Sequence, residues 1–584
     1  MAASGNGTGR EEVGSLPGQR PAIDGRTGVR TSRCIWLLGF LVASVAAAPV
    51  KPQQAAIASA HVLATQAGFE VLGKGGNAFD AAVAVAATLA VVEPQSSGIG
   101  GGGLFLLQRA SDGHEVMVDA RETAPAAVRV ADYLGADGRP DRNHSINGPL
   151  SAAIPGEPAG LVWIAAHYGK LPLKTSLAPA IRIARAGFKP DRRFLDELAM
   201  RKDVLARYPG SAALYLVNGQ VPKPGWTFRS PDLARVLERI AEQGNAGFYG
   251  GELARTLVDG VRSAGGNWTL ADLEHYEVKE RAPIAFDYRG WRIVSASPPS
   301  SGGVALAEML NILSGYELDR LDTVHRTHLM VEAMRRAYRD RAEYLGDPDF
   351  VAMPIARLTS LDYAAGLRAS IHPDKATPSE LLPPYLDAAQ GSHTSHFSII
   401  DRDGNLAAGT QTVNLIFGSG LVVPGTGFVL NDEMDDFALV VGKPNAFGLV
   451  GNERNAPRPG SRPLSSMSPT FVIGPDRIGV LGTPGGSRII TMVLEGILAF
   501  IDGQTPEQLV ANPRFHHQYL PDVIAVEKGA FTPAQIKALE AMGHQVHESD
   551  RRWGFMNAVS WDRTTGKLHA ASDPRGASGS GVVR

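Results

Sequence analysis

The 584-residue chain predicts a large mixed α/β (α+β) protein. Three observations carry that expectation. Helix-length apolar and amphipathic segments alternate with short strand-like runs along the chain. Gly and Pro are abundant, at 66 and 39, and punctuate those segments with turns. Apolar residues make up 44%, enough for a sizeable core. The 57 Lys and Arg nearly balance the 59 Asp and Glu, so no basic field invites nucleic acid or an anionic membrane.

The elements follow in order. Arg30 and Arg33 precede an apolar run, 34–48, that ends in small residues. That pattern predicts a cleavable export signal, too short for a membrane span, and hence a periplasmic or secreted protein. The only cysteine, Cys34, lies in it, so the mature chain holds no disulfide and no thiol nucleophile. Residues 53–72 read as an amphipathic helix closed by Gly73 and Gly75-Gly76. Asn77 caps a second, buried helix to about Val92. The glycines of 98–103 precede a strand, Leu104 to Gln108, rather than a helix, and no lysine follows. They predict close backbone packing, not phosphate binding. His114 to Ala120 is strand-like and delivers Arg121. A mixed helical region spans 150–280, with a capping-box start at Thr269 and Asp272. Tyr288 to Ser295 reads as one strand, and Thr323 to Tyr344 as a long helix. Residues 371–392, rich in Pro, Ser and Gly, form an expected linker where a cut is tolerated.

After the linker the pattern changes. Residues 394–401 and 406–414 predict a hairpin turning at Asp403-Gly404. The run 401–405 resembles a calcium loop, but its spacing and the missing distal glutamate make it a turn. Alternation places Thr394, His396 and Ser398 on one face, and Thr410, Thr412 and Asn414 on one face of the neighbour. A threonine hydroxyl becomes a useful nucleophile when a base stands beside it, and its own α-amine serves if the chain is cut just before it. Three further polar clusters follow: the acidic 431–436, the Ser-rich 462–469, and Thr483-Pro-Gly-Gly-Ser487 before an apolar helix, Ile489 to Phe500. Adjacent glycines before a helix offer N–H groups to an oxyanion. His516 and His517 lack a ligand partner at useful spacing, so no metal site is expected.

The chain resembles the γ-glutamyltranspeptidase (glutathione hydrolase) family of N-terminal-nucleophile hydrolases. The resemblance runs from about Pro52 to Arg575. It rests on motifs in order: 75–81 (GGNAFDA), the tetraglycine run, 119–125 (DARETAP), 299–303 (PSSGG), 344–350 (YLGDPDF), 431–437, 465–469 (SSMSP), 483–490 and 512–517 (NPRFHH). It implies a four-layer αββα sandwich and a precursor cut between His393 and Thr394. The products would be a large subunit, 49–393, and a small one, 394–584, held as a heterodimer behind a leader of 1–48.

By the same resemblance Thr394 is the nucleophile, Thr412 hydrogen-bonds it, and Gly485 and Gly486 form the oxyanion hole. Arg121, Ser465 and Ser466 would hold the α-carboxylate of a γ-glutamyl group. Asn414, Glu433 and Asp436 would hold its α-ammonium. The implied activity is transfer of the γ-glutamyl group of glutathione and related compounds to water, amino acids or dipeptides, with no metal or organic cofactor. Two positions depart from the family pattern. His393 stands where relatives often carry Asn or Asp, and Phe447 stands where some bacterial relatives place a lid tyrosine. The alternatives are a glutaryl or cephalosporin-type acylase on the same fold and a non-catalytic γ-glutamyl-binding homologue.

Overall fold

The computed structural model of the protein describes residues 50–382 and 394–584. The expected export signal, the rest of 1–48, His393 and the linker residues 383–392 lie outside the described residues. Two sheets form the centre of the described chain. The first has seven antiparallel strands, in the order Ser580–Val583, Ala56–Ser59, Ser395–Ile400, Leu406–Thr412, Gly102–Arg109, His114–Ala120, Lys279–Arg281. The second has six, in the order Leu568–Ser572, Asn557–Asp562, Arg477–Gly482, Thr470–Ile473, Trp291–Ser295, Ile284–Tyr288. A small three-stranded sheet joins Phe515–His516, Ile524–Glu527 and Val546–Ser549.

The layering follows from the period of two along each strand. In the first sheet Ile57, Phe105, Phe397 and Ile399 face one helical layer and pack with Phe79, Val83 and Leu89 of the helix Ala78–Val92. Their alternates Ala58, Leu106, Ile400 and Ala408 point the other way, onto Phe471, Val480 and Val559 of the second sheet. The second sheet turns Ile293, Val472 and Leu481 outward onto Met309, Met334 and Ile490 of the helices Gly302–Leu313, Thr323–Tyr344 and Ile489–Ile501. The result is the expected αββα sandwich. The paired strands Ser395–Ile400 and Leu406–Thr412 are buried along their whole length. Burial at roughly 25 cal/mol per Å² of apolar surface makes these layers the main source of cohesion.

Local chemistry explains the boundaries. Asn77 forms a capping box with Asp80, and Thr269 one with Asp272, as their spacing predicts. The glycines at 100–102 allow the backbone approach expected of them. A Cβ on Gly100 would stand 2.1 Å from the Val429 carbonyl oxygen, and one on Gly101 2.0 Å from that of Thr412. Two expectations need correction. Residues 53–72 are not one helix: Ala56–Ser59 is a strand between Ser395–Ile400 and Ser580–Val583, and the helix begins at Val62. The four buried residues of that strand gain a ladder on each side, which outweighs the helix propensity of Ala. Likewise 288–295 is not one strand but the turn and second arm of a hairpin, Ile284–Tyr288 with Trp291–Ser295. Arg289 and Gly290 turn it at φ 51° and 80°. The helix Thr323–Tyr344 has its expected bounds, and no described helix is long and apolar enough to cross a membrane.

Candidate active site

The hairpin register pairs Ser395 with Gln411 and His396 with Thr410, so Thr394 lies beside Thr412. Their Oγ1 atoms are 3.3 Å apart, and both residues are buried. The inter-sheet face of the same strand is polar. His396 Nδ1 meets Thr410 Oγ1 at 2.8 Å, and Ser398 donates to the Asn557 carbonyl at 3.0 Å. Burial pushes the His396 imidazole down to about 3, which keeps it neutral. Asn557 returns a bond from Nδ2 to the His396 carbonyl at 2.9 Å, so Ser398 and Asn557 tie the two sheets together behind Thr394.

Beside Thr394 lies a cavity of only about 20 Å³, room for about one water. It is bounded by Thr412, Asn414, Arg121, Glu433, Asp436 and Phe447, with Ser465, Ser466 and Gly486 completing it. Its floor is an ion-pair cluster. The Arg121 Nη1 is 2.8 Å from Glu433 Oε2, its Nη2 2.6 Å from Asp436 Oδ2, and its Nε donates to the Pro463 carbonyl at 3.2 Å. Glu122 approaches the same guanidinium at 3.6 Å. Burial by itself would lower the guanidinium pKa, but Glu433, Glu122 and Asp436 together hold it above its ordinary value. Burial pushes the Glu433 and Asp432 carboxyls well above the usual carboxylate range and Glu122 up to about 7. Asn414 sits at φ 75° and donates from Nδ2 to the Asp432 carbonyl at 2.9 Å. Its backbone N–H donates to Thr412 Oγ1 at 2.8 Å, which orients that hydroxyl.

Ser466 Oγ is buried and has no hydrogen-bond partner among the described residues, whereas Ser465 Oγ accepts from the Met467 N–H at 3.1 Å. Gly485 and Gly486, at φ 151° and 57°, turn the chain into a short 3-10 segment, Gly486–Arg488, that runs into the helix Ile489–Ile501. Phe447 covers Gly486: a Cβ there would stand 2.3 Å from Phe447 Cδ1. The Phe447 carbonyl accepts from Gln518 Nε2 at 3.2 Å, which holds this segment down.

All the residues singled out in the sequence, His393 apart, therefore meet around Thr394. The sequence reading missed Glu122 as a third carboxylate on Arg121; its adjacency to Arg121 was the available signal. It also missed the only cluster of potential metal ligands among the described residues: His328 and Glu332, one turn apart on the helix Thr323–Tyr344, with His544 far away in sequence. There His328 Nδ1 and His544 Nε2 are 2.8 Å apart, and Glu332 already pairs with Arg336 at 2.6 Å and Arg335 at 3.4 Å. Two guanidiniums on the carboxylate oppose a third cation.

The γ-glutamyltranspeptidase family profile matches residues 64–583. The glutathione hydrolase proenzyme of Pseudomonas sp. (strain A14) is 44% identical over 511 residues, covering 87% of this chain and 89% of the relative. That of Escherichia coli (strain K12) is 41% identical over 533 residues, covering 90% and 91%. The crystal structure of cephalosporin acylase from Bacillus halodurans superimposes with a TM-score of 0.80 at 29% identity, covering 96% of this chain and 98% of that one. With the profile spanning most of its length and these relatives aligned along nearly all of theirs, the chain belongs to the γ-glutamyltranspeptidase family.

Proposed function

We propose that the protein is a self-cleaving γ-glutamyltransferase and glutathione hydrolase. The observation that carries this reading is the Thr394–Thr412 pair opening onto the Arg121–Glu433–Asp436 cluster, a nucleophile beside a cradle of both charge signs. In the precursor, Thr394 Oγ attacks the carbonyl carbon of His393. The amide nitrogen leaves as the Thr394 α-amine, and water then hydrolyses the resulting ester. The two products are residues 49–393 and 394–584. Strand Ala56–Ser59 of the first is hydrogen-bonded to Ser395–Ile400 of the second, so a cut before Thr394 leaves the sheet continuous and the halves intertwined.

The freed amine is the general base. Its reference pKa of about 7.7–8.0 leaves a useful neutral fraction near neutral pH. A γ-glutamyl donor presents an α-carboxylate and an α-ammonium. The carboxylate takes Arg121 in a forked contact with Ser465 and Ser466, and the ammonium takes Asp436, Asn414 and Glu433. Binding is an exchange of ion pairs: the substrate's two charges replace the direct Arg121–Asp436 contact, so no charge is left uncompensated. A protonated Glu433, favoured by its burial, presents a carbonyl oxygen to the ammonium as a glutamine would. The cavity is too small for the head group as it stands, so entry requires the Phe447 segment to lift.

Chemistry then runs in two stages. Thr394 Oγ attacks the γ-carbonyl carbon, its proton passing to the α-amine. The oxyanion forms against the N–H groups of Gly485 and Gly486, where losing one donor typically costs ~10²–10³ in rate. The C–N bond breaks, the amine half leaves with that proton, and a γ-glutamyl ester of Thr394 remains. Water, an amino acid or a dipeptide then attacks the ester and regenerates the hydroxyl. No cofactor enters these steps, and the apolar run at 34–48 supports maturation after export.

The test is intact mass and N-terminal sequencing of purified wild type beside Thr394→Ala, with release of 4-nitroaniline from its γ-glutamyl amide. Two wild-type chains, the smaller starting Thr-Ser-His-Phe, and an uncut, inactive mutant are expected. An active single chain would overturn the reading. The likeness to the cephalosporin acylase favours a second reading, glutaryl amide hydrolysis, which needs no partner for an α-ammonium.

A further inference from the structure

Thr394 also borders a second, larger cavity of about 590 Å³, which Gly485 lines where Gly486 and Arg121 line the small one. Under the proposed function the γ-glutamyl head occupies the small cavity. The large one must then receive the amine half of the donor and, later, the acceptor. Its chemistry is uneven. Met200, Ile416 and Phe555 supply apolar wall, and five arginines line it together with the carboxylates Asp196 and Glu197. Several of these are already committed. Arg193 pairs with Glu197 at 2.8 Å and Arg575 with Glu527 at 2.5 Å, and the cavity's Asp196 pairs with Arg192 outside it. Arg488 lies over the Trp553 ring, 4.9 Å from its centroid.

Arg551 and Arg552 are different. Both are exposed, and neither has an ion-pair partner among the described residues. Their loop is pinned: the Arg551 N–H donates to Ser549 Oγ at 3.1 Å, and that hydroxyl donates back to the Arg551 carbonyl at 3.0 Å. A second observation points to the same place. Trp553 is only 6% exposed and lines the cavity, yet its indole Nε1–H has no hydrogen-bond partner among the described residues. An indole N–H is only a donor, so its missing partner is an acceptor.

We infer that this cavity is an amine-side subsite that selects partners bearing a carboxylate, with Arg551 and Arg552 supplying charge and Trp553 a donor. It rests on the function proposed above. A peptide leaving group or acceptor fits, because its nucleophilic amine points to Thr394 while its C-terminal carboxylate reaches the arginine loop. Neutral amines of the same size lose that contact.

The experiment compares kcat/KM of the mature enzyme on two chromogenic donors, γ-glutamyl-4-nitroanilide and γ-glutamyl-3-carboxy-4-nitroanilide. Wild type is measured beside the double variant R551Q/R552Q and beside W553F, each checked by mass for the cut at Thr394. In R551Q/R552Q the ratio of carboxylated to neutral donor is expected to fall about five- to tenfold, the scale of two partly screened ion pairs. Raising salt lowers the wild-type ratio and leaves the variant's nearly flat. In W553F the ratio falls as well, but without loss of salt dependence. A ratio unchanged in R551Q/R552Q, or a wild-type ratio indifferent to salt, overturns the inference. Cleavage of neither donor by wild type would instead overturn the proposed function.

Discussion

Asp436→Asn separates the γ-glutamyl reading from the glutaryl one. The change keeps shape and one acceptor but removes the charge proposed to meet the α-ammonium. Asp436 Oδ2 now stands 2.6 Å from Arg121 Nη2, and Asn445 Nδ2 donates to Oδ1 at 3.1 Å, so the carboxylate is fixed before substrate arrives. An ammonium at roughly 3 Å gains about 5 kcal/mol of gross attraction at an effective dielectric near 20. Desolvating the ammonium takes back about half, leaving about 2–3 kcal/mol, or ~30- to 150-fold in kcat/KM. The assay is 4-nitroaniline release from the γ-glutamyl and glutaryl anilides, which differ only in the α-amino group. The γ-glutamyl-to-glutaryl ratio should fall by that factor, with processing at Thr394 intact. A ratio that moves less than about threefold would refute the ammonium assignment and favour an acylase.

Other outcomes follow from the same geometry. Gly486→Ala puts a methyl 2.3 Å from Phe447 Cδ1 at φ 57°, so activity should drop by about 10²-fold or more, and adding Phe447→Ala should recover part of it in a rate assay. Ser466→Ala removes a buried hydroxyl with no partner among the described residues, so thermal stability should hold while KM for the donor rises about three- to tenfold. His396 is held to about 3 in the fold and titrates near 6.5 when unfolded. Below pH 6.5 the unfolded state takes up its proton and the folded state does not, so this residue's contribution to stability is lost as pH falls. Denaturant titrations should therefore show the penalty of His396→Asn shrinking by about 2 kcal/mol between pH 7 and pH 5.

Much of the site was legible because it is local. Thr394 and Thr412 meet by strand alternation, and the turn at Asp403-Gly404 sets the register that joins them; Asn414 lies past the strand end at φ 75° and is held by its N–H bond to Thr412. Gly485-Gly486 announces a turn into a helix from composition alone. The strand Ala56–Ser59 was illegible for the opposite reason. Nothing in Ala-Ile-Ala-Ser forbids a helix, and its strand state depends on ladders with residues more than 300 positions away. Glu122 was overlooked because a carboxylate beside an arginine in sequence is usually a solvated surface pair, and only burial turns it toward the guanidinium.

Residue types and their order, read through the family resemblance, were enough to single out Thr394, the polar residues that gather around it and the sandwich class. Tertiary structure decided the state of those charges. Arg121 and Asp436 stand at opposite ends of the chain's logic, one after an early strand and one in a late acidic turn, and only packing brings them to 2.6 Å. It also decided which arginines are committed: Arg193 and Arg575 are neutralised by carboxylates, while Arg551 and Arg552 face the cavity beyond Thr394. Charge along a sequence is a count, but the field a substrate meets depends on which charges are paired and how deeply they are buried.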